Sequence, residues 1–208
     1  MTAITARPFR RLLKDEEPEW LVWALVAGML IIGLLIRTIF VARMVQAAAG
    51  DLSVAYPADW VALSSDDPYD VLARSEPLTS AAFPATLRIA QLPTAEVSTA
   101  AVGLDDFALK WSDRQTHELE GFRVLSIEPL RVQDRDAARI NYAYVAEPLL
   151  GGPGALPIVA RGQDVLIVQG ETLTVVRLVA DADAYDGLAA TWQRILGSLK
   201  MPQEGGAR

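Results

Sequence analysis

A chain of 208 residues with one histidine, no cysteine and a formal charge of -7 has room for one domain and an appendage. The missing thiols exclude disulfide frameworks, thiolate nucleophiles, Cys-ligated zinc and iron–sulfur clusters. Residues 1–50 hold six of the 19 basic and four of the 26 acidic groups, which leaves 13 and 22, a net of -9, for 51–208. A segment so acidic repels phosphates, and no nucleic-acid partner is expected.

Residues 1–19 form a short polar segment with Arg7, Arg10, Arg11 and Lys14 ahead of Asp15–Glu19. Trp20–Ile36 then runs without a charge, and after Arg37 the apolar run resumes as far as Ala42. Taken as one helix, 20–42 would measure about 34 Å at 1.5 Å per residue, enough to span a bilayer. Arg37 lies near the far end, where its stem can carry the guanidinium to the headgroups, and Trp20 and Trp23 suit the near interface. Four Lys or Arg precede the span, and only Arg37 and Arg43 stand at its far end, so the positive-inside rule places the N-terminus in the cytoplasm. Ala47-Ala48-Ala49 resembles a signal-peptidase site, yet it lies beyond two arginines and more than ten residues past the uninterrupted run, so the segment reads as an uncleaved anchor. Ala24 and Gly28 form a small-xxx-small pair that would admit a neighbouring helix.

Residues 43–50 read as a linker or helical stub, and 51–200 as one extracytoplasmic domain with a loose tail at 201–208. At about 150 residues the domain is long enough to bury an ordinary core. Leu52, Val54 and Tyr56 alternate as a strand that Pro57 ends. Residues 64–86 are a Ser-, Asp- and Pro-rich loop with a short strand near Val71–Arg74, and ATLRIAQLP follows as a clearer strand. Leu104, Phe107, Ala108, Trp111 and Gln115 share a helical face that extends to Leu119, with Gly121 as the stop. FRVLSIEPLRV and ARINYAYVA pair as a hairpin around a turn at Gln133–Asp136, Pro129 marking an edge or a bulge. After the glycine- and proline-rich stretch 148–157, strands QDVLIVQ and TLTVVRLVA turn at Gly170-Glu171. A helix from about Ala184 to Leu199 closes the chain, capped by Asp181 or Asp183 and striped by Leu188, Trp192, Ile195, Leu196 and Leu199. Strands that come as hairpins, not as βαβ units, predict an α+β fold with a mainly antiparallel sheet.

Three pieces of this domain carry a resemblance: the opening LSVAYPADW (52–60), the hairpin RVLSIEPLRVQDRDAARINYAYV (123–145), and the close with Tyr185, Trp192 and Ile195-Leu196-Gly197-Ser198-Leu199. Over about 51–200 the chain resembles the PsbP-like family. The resemblance implies an α–β–α sandwich around an antiparallel sheet. It also implies a non-catalytic extrinsic or accessory subunit of a membrane complex, best known at photosystem II. The chain departs from that family in having its own membrane anchor, and its single histidine carries over no histidine-dependent metal role.

Few residues present chemistry. His117, beside Glu118 and Glu120, is the sole candidate for a triad base or an imidazole ligand, and no serine lies in a G-x-S-x-G. Its place at a helix end favours a solvated side chain. Asp66, Asp67 and Asp70 cluster in one loop, and Asp181, Asp183 and Asp186 before the last helix, neither with EF-hand spacing. Gly151-Gly152-Pro153-Gly154 lacks the Lys-Ser/Thr of a phosphate loop. Trp60, Trp111 and Trp192 sit on amphipathic elements, which favours packing.

The expected protein is thus not an enzyme and has no catalytic, cofactor-binding or metal site. It is a single-pass accessory subunit in a plasma or photosynthetic membrane, with a photosynthetic or electron-transfer complex as one setting. Its partners are the membrane and the integral subunits of that complex, with loops 64–86 and 148–157 as contact surfaces. The alternatives are a standalone extracytoplasmic ligand-binding or sensor protein, and a tethered hydrolase that would depend on His117 or a carboxylate pair.

Overall fold

The computed structural model describes residues 19–41, 43–49, 52–77, 82–97, 103–148 and 156–201. The expected cytoplasmic segment, most of the 148–157 loop and nearly all of the tail lie outside them. The chain divides between Arg43 and Met44 into two units.

The first unit contains helix α1, Glu19–Val41, 23 residues long. Trp20 and Val22 through Ile36 present apolar side chains, and the large ones are exposed. The uncharged run from Trp20 to Ile36 lies wholly within this helix and rises about 26 Å at 1.5 Å per residue, against a hydrocarbon core of about 30 Å. Among the described residues no helix is long and apolar enough to cross a membrane.

The second unit opens with a two-stranded ribbon, β1 (Met44–Ala49) and β2 (Leu52–Pro57), in antiparallel register from Met44–Pro57 to Ala49–Leu52. Residues 43–50, expected as a linker or helical stub, are therefore mostly strand. Alanine-rich local preference for helix yields to pairing with β2, whose Leu52 and Val54 are buried in the core. The strands that follow are β3 (Val61–Ala62), β4 (Asp70–Ser75) and β5 (Thr86–Pro93). A one-turn helix α2 (Thr94–Val97), not foreseen, precedes α3 (Leu104–Glu118). The hairpin β6 (Arg123–Val132) and β7 (Arg135–Ala146) comes next, then the hairpin β8 (Ile158–Gln169) and β9 (Thr172–Asp181). The closing segment is not one helix: α4 (Ala182–Tyr185) and a 3₁₀ turn at Asp186–Leu188 lead into α5 (Ala189–Ser198). Asp186 and Gly187 are poor helix formers, and the tighter turn falls on them.

Strands β3 to β9 make one sheet in the order β3-β4-β5-β9-β8-β7-β6, every pair antiparallel. The α+β class and the antiparallel sheet agree with the sequence reading. Pro129 lies on the edge strand β6, the place in a sheet where proline is tolerated, although the register shift falls at Val124–Ser126. Both faces of the sheet are covered, so its central strands are apolar at successive positions, Val165-Leu166-Ile167 on β8 and Val175-Val176 on β9. One face packs under α5 and β2 through Leu87, Ile89, Val165, Ile167, Val176, Leu178, Trp192, Ile195 and Leu199. The other packs under α3 through Ile140, Tyr142, Leu166, Leu173, Val175, Ala108 and Trp111.

The ribbon is fixed to the end of α5. Ser53 and Lys200 exchange backbone bonds of 2.9 and 2.7 Å, and Ala55 N–H donates to Ser198 Oγ at 2.8 Å. The β6–β7 turn is tied there as well. Gln133 adopts a left-handed φ of 55°, uncommon for a side-chain-bearing residue, and its amide donates to the Leu199 carbonyl.

Candidate functional site

Two largely apolar strands each carry a charge near the middle, Asp164 on β8 and Arg177 on β9, besides Arg161 nearer the start of β8 and Asp181 at the end of β9. The register places them opposite one another, and it places Arg88 of β5 opposite Arg177 on its other side. Two arginines facing each other repel, so each needs a carboxylate. Arg177 takes Asp164, with Nε to Oδ1 at 2.9 Å and Nη2 to Oδ2 at 2.8 Å. Arg88 takes Asp70 of β4 at 3.1 Å, and the Ser65 hydroxyl donates to that same Asp70 oxygen. An Asp–Arg–Arg–Asp row thus crosses four strands on the α3 side of the sheet.

Helix α3 is fastened to this row by polar bonds as well as packing. Its Trp111 indole N–H donates to Asp164 at 2.6 Å, and its Gln115 Oε1 accepts from Arg177 at 2.6 Å. The Gln115 amide in turn donates to Glu118, which also receives Arg114 Nε at 2.6 Å. From β7, the Tyr142 hydroxyl donates to Asp164 at 2.9 Å. Asp164 is 0 % exposed and accepts four bonds, the full complement of a carboxylate. The Arg177 guanidinium also lies 5.6 Å from the Trp111 ring centroid and 6.0 Å from that of Tyr142. Burial alone would lower the Arg177 pKa, but Asp164, Tyr142 and Tyr144 together outweigh it and hold the guanidinium above its ordinary value. Burial pushes the Tyr142 hydroxyl well above its ordinary value; Arg177 opposes that shift and Asp164 adds to it.

A cleft of about 420 Å³, part of it open to solvent, lies beside this network. Arg88, Arg114 and Arg177 border it, as do Asp67, Asp70 and Glu118. Among the described residues no hydroxyl, thiol or imidazole lines it, and Asp70 and Glu118 are already met by arginines. Such a surface of paired opposite charges can recognise a polar partner, but it offers no nucleophile beside a base.

The fold is PsbP-like. Its solved-structure neighbours include cyanobacterial PsbP (CyanoP) from Synechocystis, with a TM-score of 0.53 and 10% identity over 77% of this chain and 92% of that one. A Pseudomonas aeruginosa protein of unknown function gives 0.50 and 13% over 78% and 99%. The Saccharomyces cerevisiae Ran-binding protein Mog1p gives 0.50 and 11% over 76% and 94%. No protein-family model and no curated protein matches the sequence. At these identities the likeness is one of fold.

Within that PsbP-like frame the sequence candidates scatter. His117 is exposed on the last turn of α3 and does not line the cleft. Asp66 and Asp67 are exposed, and Asp67 spends an oxygen on the Tyr69 N–H, whereas Asp70 is drawn into the charged row. Asp181 caps α4 by accepting from the Asp183 N–H, and Asp186 pairs with Arg161 at 3.0 Å. No group of three or more His, Asp or Glu among the described residues could hold a metal ion. Gly151–Gly154 lie outside the described residues. Trp60 and Trp192 are buried on the α5 side and Trp111 on the α3 side. The Asp164–Arg177 pair was missed. Its signal is a charge near the middle of each of two adjacent, largely apolar strands.

A pH dependence follows. Burial raises the pKa of Tyr142, Tyr144 and Tyr185, the last to about 12. A group whose folded pKa exceeds its unfolded value of 10 gives stability that is complete below pH 10 and fades as pH rises through the folded value. The domain should therefore lose stability steadily from pH 10 to beyond 12. In a titration at 295 nm, the Tyr142 phenolate should appear only together with unfolding. Full reversible ionisation of all five tyrosines near pH 10, with the near-ultraviolet dichroism intact, would contradict this.

Proposed function

We propose that this chain is a non-catalytic, membrane-anchored accessory subunit that docks its PsbP-like domain on the non-cytoplasmic face of a larger membrane complex. The observation that carries this reading is the use made of the domain's strongest polar constellation. Asp164, Arg177, Trp111, Tyr142 and Gln115 satisfy one another, which fits a scaffold better than a reacting centre. The anchor is supported by the sequence: Trp20–Ile36 carries no charge, and the apolar run continues past Arg37 to Ala42. Only residues 42 and 43 separate α1 from β1. The bias of Lys and Arg toward the N-terminal flank supports an inward N-terminus. The paired charges around the α3 cleft supply a rim of the kind that fixes register between docked proteins.

The test is purification from native membranes in mild detergent through a C-terminal tag, then native electrophoresis and mass spectrometry of what co-migrates. The expected result is a stoichiometric assembly with integral membrane proteins, lost when 20–42 is replaced by a cleavable secretion signal. A protein that leaves the membrane in alkaline carbonate, or that migrates alone, overturns the reading.

A further inference from the structure

We infer that the α3 cleft is a carboxylate site, seated between the guanidinium groups of Arg88 and Arg177. The charged row beneath it runs Asp70, Arg88, Arg177, Asp164. Its two outer contacts join opposite charges, at 3.1 and 2.8 Å, while its middle contact sets two arginines on directly opposed positions of neighbouring strands. Opposed side chains on a sheet stand about 4.5–5.5 Å apart at Cβ, and like charges so placed repel. One anion between them turns the middle of the row from repulsion to attraction.

Both arginines have donors left for it. Arg88 spends Nη1 on Asp70, and its Nε and Nη2 meet no acceptor among the described residues. Arg177 spends Nε on Asp164 and Nη2 on Asp164 and Gln115, which leaves Nη1 without an acceptor among the described residues. That nitrogen is not shut off from solvent. The two arginine side chains are 43 % and 21 % exposed and both line the cleft, whereas those of Asp70 and Asp164 are 6 % and 0 % exposed. What the row offers to a solute is therefore guanidinium N–H. The rest of the lining selects among anions. Asp67 and Glu118 stand on the same border, and a dianion such as phosphate meets twice the repulsion from them that a monoanion meets. A planar carboxylate spreads one charge over two oxygens, one for each arginine. Ala90 and Val175, opposed across the same two strands, also border the cleft and suit a short alkyl group. A short free carboxylic acid and the Asp or Glu side chain of a docked protein share this chemistry. The site holds a carboxylate whether or not the domain docks on a membrane complex.

The test uses the full chain in a maltoside detergent at neutral pH, labelled at the arginine side-chain nitrogens. Sodium acetate is the probe. Acetamide has its shape without its charge, and sodium chloride at equal ionic strength has its charge without its shape. The expected result is a saturable shift of the Arg88 and Arg177 Nε resonances with acetate, while both controls leave them in place. Arg88→Gln removes one cation and should weaken acetate binding roughly ten- to hundredfold, the contribution of one charge-assisted hydrogen bond. Ala90→Leu keeps every charge, fills the space, and gives an independent arm if Arg88→Gln folds poorly; it should abolish the saturable shift. Carrying Ala90→Leu through the native-membrane purification separates the two sources. An assembly that survives names a free acid, and an assembly that is lost names a partner's acidic side chain. Where the wild-type chain forms no assembly, the docking reading fails and the acetate titration still decides. Arginine resonances unmoved by acetate, a shift matched by chloride, or full acetate binding by both variants would overturn the proposal.

Discussion

Replacing Asp164 by Asn should cost the domain about 3–5 kcal/mol, the range for breaking a buried ion pair by removing one partner. The substitution keeps the shape but inverts half the hydrogen-bonding sense. Asp164 accepts from Trp111 Nε1, Tyr142 Oη, Arg177 Nε and Arg177 Nη2. An asparagine would turn an N–H₂ toward at least one of those donors and leave Arg177 without its counter-charge. Arg177 has little alternative, since its side chain is only 21 % exposed. The larger Asp164→Ala change should fall at the upper end of the same range. Combining Asp164→Leu with Arg177→Met should cost less than Asp164→Leu alone, because the second change removes the stranded cation. Urea unfolding followed by near-ultraviolet dichroism reads all three. A loss below about 1 kcal/mol for Asp164→Asn would show that the network contributes little to the fold.

The sequence made the architecture legible for a physical reason that also hid this network. Strand and helix periods are written in apolar residues, and Leu104, Phe107, Ala108 and Trp111 announced α3 through their spacing. Pairing partners far apart in sequence leave no such trace. Asp164 and Arg177 are 13 residues apart on a hairpin, and only the register shows that they face one another. Gln115 read as part of an apolar stripe, whereas its amide bridges Arg177 and Glu118. The β1 strand was hidden in the opposite way. Its Met-Val-Gln-Ala-Ala-Ala has no strong period, and what makes it extended is the edge that β2 offers.

Gly162→Ala should be as damaging as a cavity mutation, although it adds only one methyl group. Gly162 is the cross-strand partner of Tyr142, and the tyrosine ring lies over the place a side chain would occupy. A Cβ there would stand 2.3 Å from Tyr142 Cζ and 2.5 Å from its Cε2 and hydroxyl oxygen. Van der Waals contact between such atoms is about 3.5 Å, so the overlap exceeds 1 Å. The ring has nowhere to go: Tyr142 is 1 % exposed and packs on Phe122 at 5.1 Å between ring centroids. Relief requires the hydroxyl to leave Asp164 or β8 to shift away from β7, and Asp164 sits just two residues along the same face. Overpacking of about 1–3 kcal/mol and the loss of a hydrogen bond to a charged group, about 1.5–3 kcal/mol, together predict at least 3 kcal/mol. The Tyr142→Ala background supplies the control. With the ring removed, Gly162→Ala should cost about 1 kcal/mol or less, since the added methyl then meets space and alanine suits a strand no worse than glycine. A double-mutant cycle should therefore show a coupling of about 2 kcal/mol, and a coupling near zero would mean that the ring and the glycine do not constrain one another.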